Sequence, residues 1–323
     1  MSKHFPATLA RKSISVNAWL RVLALFSIVV AALYVAEARS FPKPKQDDEH
    51  FSSVRTGSRA DWGYGNDLPN FCKKLIANPK PYDKHCKRDA NTFQCTNETM
   101  SGEYQMFSQF HQDYFFYTRH FKHLKRPGVY LDIATNDPVS ISNSFFMDRC
   151  LGWKGVCVEG NPGYHEKIYR MRSCQLVPTC VGSREGQSVQ FGLKGGAGGI
   201  VGASFKHTDK FAELGVEVPT IRERCTMMKN VLERNGIRHV DYLSLDVEGH
   251  EFEVLKGVDW DQVVINVMSI EVSGKTLKQI EEFLTPKGYK RYMPDVDERA
   301  VRTGLLIEDA IFLHESVEFG KPQ

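Results

Sequence analysis

From about Gln105 onward, short apolar runs alternate with helical stretches along the chain. Val129–Ala134 (V-Y-L-D-I-A) and Gly155–Glu159 (G-V-C-V-E) read as short buried strands. Cys174–Val181 reads as a third, and Ser188–Leu193 as an extra one. Val240–Asp246, Val263–Glu271, Tyr289–Met293 and Asp309–His314 complete the set. The intervening pattern predicts helices over Ser142–Leu151, Pro162–Arg172, Arg224–Asn235, Glu251–Lys256 and Thr276–Leu284. Pro162 suits a first helical turn and Gly236 a helix end. Repeated strand–helix alternation predicts an α/β fold with a doubly wound, mainly parallel sheet. Its one ligand crevice should lie at the carboxyl ends of the strands.

The segments before Gln105 behave differently. Ser40–His50 (S-F-P-K-P-K-Q-D-D-E-H) has too little apolar surface to fold, so residues 39–70 read as a stem. Residues 71–103 are irregular and carry Cys72, Cys86 and Cys95. Val22–Ala36 contains no charge, and with Trp19, Leu20 and a snorkelling Arg21 it approaches the roughly 20 residues that span hydrocarbon. The organisation expected is therefore a cytosolic tail at 1–17, a transmembrane signal-anchor at 18–38 and a stem with a cysteine-bearing segment at 39–103. A catalytic domain at 104–316 and a short tail at 317–323 complete it. Ala36-Glu37-Ala38 also fits a signal-peptide cleavage site, which would make the product secreted.

Charge refines this picture. The whole chain carries 42 basic and 39 acidic residues. Lys3, Arg11, Lys12 and Arg21 precede any acid, so the body beyond residue 36 is nearly balanced, with 38 basic against 39 acidic groups. That balance argues against a nucleic-acid partner. Positive charge before the apolar run places the N-terminus in the cytosol and the body in the lumen of the secretory pathway, in the Golgi or endoplasmic reticulum. Asn97-Glu98-Thr99 is a glycosylation acceptor, and eight cysteines suit disulfides in an oxidising lumen. Their pairing is left open among 105 combinations. No C-x-x-C pair supports zinc, and no metal ligand set is assigned.

Acids at strand ends carry the candidate chemistry. Asp132 ends the first strand and Glu159 the second, a spacing that suits one strand–helix–strand unit. An acid at the second tip can accept both hydroxyls of a ribose, or can cap the next helix, a role Asn161 would also fill. The first turn holds no G-x-G-x-x-G and no glycine, which disfavours a pyrophosphate and leaves S-adenosylmethionine as the better match. Gly192–Gly202 lacks a P-loop ending and reads as a flexible loop, a lid or a plain linker. Leu245-Asp246-Val247-Glu248-Gly249-His250 follows a later strand; Asp246, Glu248 and His250 could take a proton, hold a divalent metal or cap a helix.

The runs L-G-W-K-G-V-C-V-E-G-N-P and L-D-V-E-G-H-E, with Y-L-D-I-A-T-N-D-P before them, resemble the FkbM-type methyltransferase family over roughly residues 105–315. The resemblance implies a Rossmann-like methyltransferase sheet and S-adenosylmethionine as cofactor. It also implies methylation of hydroxyl oxygens on sugars and small molecules. It maps cofactor contacts onto Asp132, Asn136, Asp137, Ser142, Asn143 and Glu159. Asp246 and Glu248 match the family's later D-x-E-G element. The family's first motif has glycines where this chain has Ala134 and Pro138.

Two functions are expected from these readings. The first is a membrane-anchored lumenal O-methyltransferase with a hydroxyl-bearing acceptor such as a glycan. The second is a non-catalytic lumenal binding or trafficking protein that retains the fold, with the altered first turn as its support.

Overall fold

The computed structural model describes residues 68–81, 86–89, 92–95, 106–193, 198–202, 218–272, 274–293 and 309–319. The tail at 1–17, the apolar run at 18–38, the stem up to residue 67 and Asn97 lie outside the described residues, with the expectations that rest on them. Among the described residues, no helix is long and apolar enough to cross a membrane.

The segment expected to be irregular contains helix α1 (Leu68–Ala77) and a hairpin of β1 (Cys86–Asp89) and β2 (Thr92–Cys95). The apolar face of α1, with Phe71, Cys72 and Leu75, is buried. Helix α2 (Gln112–Arg119) precedes β3 (Val129–Ile133), β4 (Lys154–Val158), α3 (Pro162–Met171) and β5 (Gln175–Val177). A small set of strands follows: β6 (Val181–Gly182), β7 (Gln187–Gly192), β8 (Gly199–Ile200) and β9 (Thr220–Met227). The chain then runs through α4 (Met228–Arg234), β10 (His239–Leu245), α5 (Glu251–Lys256) and β11 (Val264–Glu271). It closes with α6 (Gly274–Leu284), β12 (Tyr289–Tyr292) and β13 (Asp309–His314).

The main sheet has the order β12-β13-β11-β10-β3-β4-β5. Its strands from β11 to β5 run parallel, and β13 is antiparallel to both neighbours. The sheet is thus the expected α/β form with one reversed strand. The chain winds outward from β3 to β5, then returns to place β10 on the other side of β3. The order reverses between β3 and β10, where a crevice forms above the strand ends.

Strand alternation divides the core in two. Tyr130, Tyr242, Val267 and Ile311 point to one face and meet α1, α2 and α3 through Leu75, Phe116 and Ile168. Leu131, Ile133, Leu243, Leu245, Met268 and Ile270 point to the other and meet α4, α5 and α6 through Val231, Leu255 and Ile280. Helices on both faces are what a buried parallel sheet requires.

Four sequence expectations need correction. The strand expected over Cys174–Val181 is two. Pro178 has no N–H to continue the ladder, and the chain turns there, leaving β5 in the main sheet and sending β6 into a second one. That second sheet, ordered β6-β9-β7-β8, was foreseen only as one extra strand. The helix expected over Arg224–Asn235 starts at Met228, because Arg224 and Cys225 pair with Ser188 and Gln187 in β9. The helix over Ser142–Leu151 is a single π-helical turn at Phe146–Cys150.

Disulfides join Cys72 to Cys150, Cys157 to Cys174 and Cys180 to Cys225. The first fastens α1 to the main domain, the second ties β4 to the chain entering β5, and the third closes the second sheet.

Candidate cofactor and active site

The crevice at the switch point is a half-open groove. Ile133 and Ala134 line it after β3, Val158 and Gly160 after β4, and Val247 after β10. The second sheet supplies Cys180, Val181, Phe191, Gly199 and Ile200. Part of the glycine-rich stretch is therefore crevice wall rather than plain linker. A Cβ on Gly160 would lie 2.7 Å from the Phe191 ring, so the missing side chain lets the second sheet close on the tip of β4.

The first turn is built without glycine. Ala134 has φ 64° and Asn136 φ 56°, in the left-handed region that disfavours side chains. The amides of Ala134 and Thr135 both donate to the Val158 carbonyl, at 2.9 and 3.1 Å. The Asn136 amide donates to Glu159 Oε2 at 2.7 Å, and Glu159 Oε1 accepts the Asn161 amide at 2.7 Å. Glu159 is buried, and burial raises its pKa against the lowering effect of these amides. Asn161 is the N-cap of α3, accepting from the Gly163 amide at 2.9 Å, so Glu159 braces two tips while Asn161 does the capping.

Other expected contacts lie deeper. Asp132 is buried and accepts from Ser144 Oγ, with the Arg172 guanidinium 3.6 Å away. Ser142 Oγ accepts from the Phe145 amide at 3.2 Å and from Arg172 at 3.3 Å. Arg172 is fully buried and also donates to Asp148 at 2.6 Å, Ser144 at 2.6 Å and Tyr130 Oη at 3.2 Å. It fastens β3 to the turn that follows. Asp137 accepts the Val139 and Ser140 amides at 3.0 and 2.8 Å and shapes that turn. Asn143 Nδ2 donates to Ser244 Oγ at 3.1 Å, above β10.

Asp246 follows the last residue of β10. Asp246 is exposed to solvent. The protein around it displaces enough solvation to push its pKa well above the usual carboxylate range, and the Glu271 and Glu248 carboxylates push further. Glu248 holds φ 56° in the turn that follows. That turn is folded by Glu251, whose Oε1 accepts the Val247 amide at 3.2 Å and the Gly249 amide at 2.8 Å. Burial raises Glu251 to a pKa of about 7. His250 packs toward β6, with Nε2 3.6 Å from a Cβ position on Gly182, and burial lowers its pKa.

Glu271 and Asp309 are acids that the sequence reading did not single out. Both end or begin a strand beside Asp246, and the strand-tip argument applied to Asp132, Glu159 and Asp246 would have found Glu271. Asp309 accepts from Gln112 at 3.0 Å and Ser269 at 2.6 Å. Arg172 carried no comparable signal, because its partners Asp148, Ser144 and Tyr130 are 24 to 42 residues away in the chain. Among the described residues, no group of three or more His, Cys, Asp or Glu side chains is arranged to hold a metal ion.

Residues 132–291 match the model of the methyltransferase FkbM domain family. Among solved structures, the chain is similar to the precorrin-6y C5,15-methyltransferase of Geobacter metallireducens GS-15. The identity is 12% and the TM-score 0.31, covering 59% of this chain and 82% of that one. No curated protein matches the chain.

Proposed function

We propose that the methyltransferase FkbM domain carried by residues 132–291 uses S-adenosylmethionine to methylate a hydroxyl oxygen, on an acceptor such as a glycan, within the secretory pathway. The observation that carries this reading is the placement of Glu159 and Asp246 on either side of the first turn, at the carboxyl ends of the strands flanking β3.

The residues present fit that cofactor. Asn136 Oδ1 and Asn143 Oδ1 are buried carbonyl oxygens without a protein donor among the described residues. Such orphaned acceptors are costly unless a ligand or water satisfies them. The ammonium, amino and hydroxyl groups of S-adenosylmethionine are donors. When bound, the cofactor supplies a methyl group activated by a sulfonium charge.

The chain's own groups divide the work. Glu159 retains a lone pair on each oxygen beyond its two amides, enough for the ribose hydroxyls. Ile133, Val158 and Phe191 give the crevice an apolar lining that excludes water from the adenosine. Asp246 takes the proton of the acceptor hydroxyl, and its raised pKa brings it nearer neutrality, where a base works best. Glu248 stands beside it. The three disulfides among the described residues support an oxidising compartment, in keeping with the apolar N-terminal run.

Ala134 adopts the left-handed conformation expected at a glycine position, so its turn keeps the required course. The decisive experiment compares wild type with Asp246→Asn, by cofactor calorimetry and by methyl transfer to a glycan panel. The variant should bind cofactor nearly normally yet lose about 10²-fold or more in turnover. Wild-type turnover in Asp246→Asn overturns the base assignment. Cofactor binding by wild type with no methylation across the panel favours a binding protein instead. Loss of activity with a chelator shifts Asp246 toward a metal-holding role.

A further inference from the structure

The ladder between β10 and β11 ends at Leu245 and Ile270, so the chain beyond it is no longer held in register by the β11 side of the sheet. On the other side, the Asp246 amide reaches the Ile133 carbonyl over a long 3.4 Å. Glu248 and Gly249 then take φ 56° and 98°, both in the left-handed region, so the turn sets a disfavoured side-chain residue beside a glycine. Glu251 closes this turn from below. Its Oε1 accepts the Gly249 amide at 2.8 Å and the Val247 amide at 3.2 Å, and the residue is 2% exposed.

Glu251 stands on a firm mount. It is the first residue of α5, whose far end is pressed onto β6: a Cβ on Gly257 would lie 2.6 Å from the Gly182 carbonyl oxygen. The Gly257 carbonyl accepts the Lys229 amide at 2.8 Å, and Ser183 Oγ donates to Glu253 at 2.6 Å. Val254 and Leu255 of the same helix are buried in the core. Strand β6 also gives Val181 to the crevice, so the helix that holds the turn and part of the crevice wall belong to one packed unit. The turn itself brings Val247 to that wall and carries Asp246 and Glu248 on either side of it.

We propose that Glu251 is the positioning residue of this site: by holding the Val247 and Gly249 amides, it sets Val247 against the cofactor and fixes where the Asp246 and Glu248 carboxylates stand. This inference rests on the function proposed above and adds a residue that acts through the turn rather than on the reactants.

The requirement is one of reach. Two amides converge on a single oxygen, so the acceptor must arrive at one point, and side-chain length decides whether it does. Charge matters less. Burial raises the pKa of this carboxyl and so lowers the share of its charged form, while a neutral carbonyl oxygen offers the same two lone pairs. A turn released from the clamp would move Val247, Asp246 and Glu248 together, and a displacement of about 1 Å in such groups can cost on the order of 10²-fold in rate.

Variants of the full chain separate reach from charge. Glu251→Gln keeps the length and removes the charge, Glu251→Asp keeps the charge and shortens the side chain, and Glu251→Ala removes both. Val231→Ala, in the core contributed by α4 and away from the crevice lining, is the control for general destabilisation. S-adenosylmethionine affinity is measured by calorimetry, and hydrogen exchange over residues 246–249 by mass spectrometry without ligand. Glu251→Gln should stay within about threefold of wild-type affinity, whereas Glu251→Asp and Glu251→Ala should lose about tenfold or more. The latter two should also exchange faster in the turn, and Val231→Ala should change neither quantity. If Glu251→Ala does not fold, the order of the Asp and Gln variants still decides. Wild-type affinity and exchange in Glu251→Asp overturn the proposal, as does a loss in Glu251→Gln equal to that in Glu251→Asp, or an equal loss of affinity in Val231→Ala. Failure of wild type to bind S-adenosylmethionine instead overturns the cofactor assignment, and the exchange measurement then decides the clamp by itself.

Discussion

The Glu159 carboxylate holds the Asn136 amide at 2.7 Å, joining the tip of β4 to the turn after β3. This bond gives the first turn a brace where its sequence has no glycine. Glu159→Ala should remove both the brace and the proposed ribose acceptor. A charge-assisted hydrogen bond contributes about 1.5–3 kcal/mol, so S-adenosylmethionine affinity should fall by at least about tenfold. Calorimetry on the folded variant measures it. Unchanged affinity would confine Glu159 to a bracing role.

Ala134 carries its Cβ at φ 64°, where an L-residue is strained by about 1–2 kcal/mol relative to glycine. Ala134→Gly releases that strain and costs part of it back in unfolded-chain entropy. The expected outcome is a melting temperature equal to or slightly above wild type, with cofactor affinity not diminished. A clearly destabilised variant would show that the Ala134 methyl packs usefully in the crevice wall.

Glu251 gives a pH signature. Its folded pKa of about 7 lies above the ordinary 4.5. Its contribution is therefore fully present below about pH 4.5 and is lost as pH rises through about 7, on the order of 3 kcal/mol for a shift of this size. Glu251→Gln keeps an acceptor for the Val247 and Gly249 amides but does not ionise. Relative to wild type, it should gain stability between mildly acidic and slightly alkaline pH. Denaturant melts at both ends of that range provide the check, and a parallel pH response in the two proteins would refute it.

The Cys72–Cys150 bridge closes a loop with a sequence separation of 78. The chain-entropy model assigns such a loop about 4.5 kcal/mol. The double variant Cys72→Ala/Cys150→Ala should unfold at correspondingly lower denaturant and expose α1 to protease before the main sheet. Limited proteolysis followed by mass spectrometry reads the order of cleavage. Simultaneous cleavage everywhere would mean that α1 is integral to one cooperative unit.

Much of the fold was legible because it is written locally. Val129–Ala134, Gly155–Glu159, Val240–Asp246 and Val263–Glu271 are short, apolar and separated by helical stretches, and the observed strands β3, β4, β10 and β11 fall on them. Acids at their carboxyl ends identified the crevice edge for the same reason: where a buried strand stops, its last polar residue must emerge. The Glu159–Asn161 division of labour was also visible as two alternatives for one cap.

What the sequence alone could not decide depends on residues far apart in the chain. The second sheet exists because β9 pairs with β7 and β6, and neither partner resembles a strand strongly by itself. Whether an acid faces crevice or core is equally non-local. Asp132 and Glu159 both stand at strand ends, yet Arg172 draws Asp132 into a buried network while two backbone amides hold Glu159 at the turn. Asp246 meets Glu271 only because β10 and β11 lie in one particular register, and a shift of one residue would turn one side chain to the opposite face. Strand existence follows from local apolar content, whereas wall closure and turn strain follow from registers and contacts that form only when the sheet assembles.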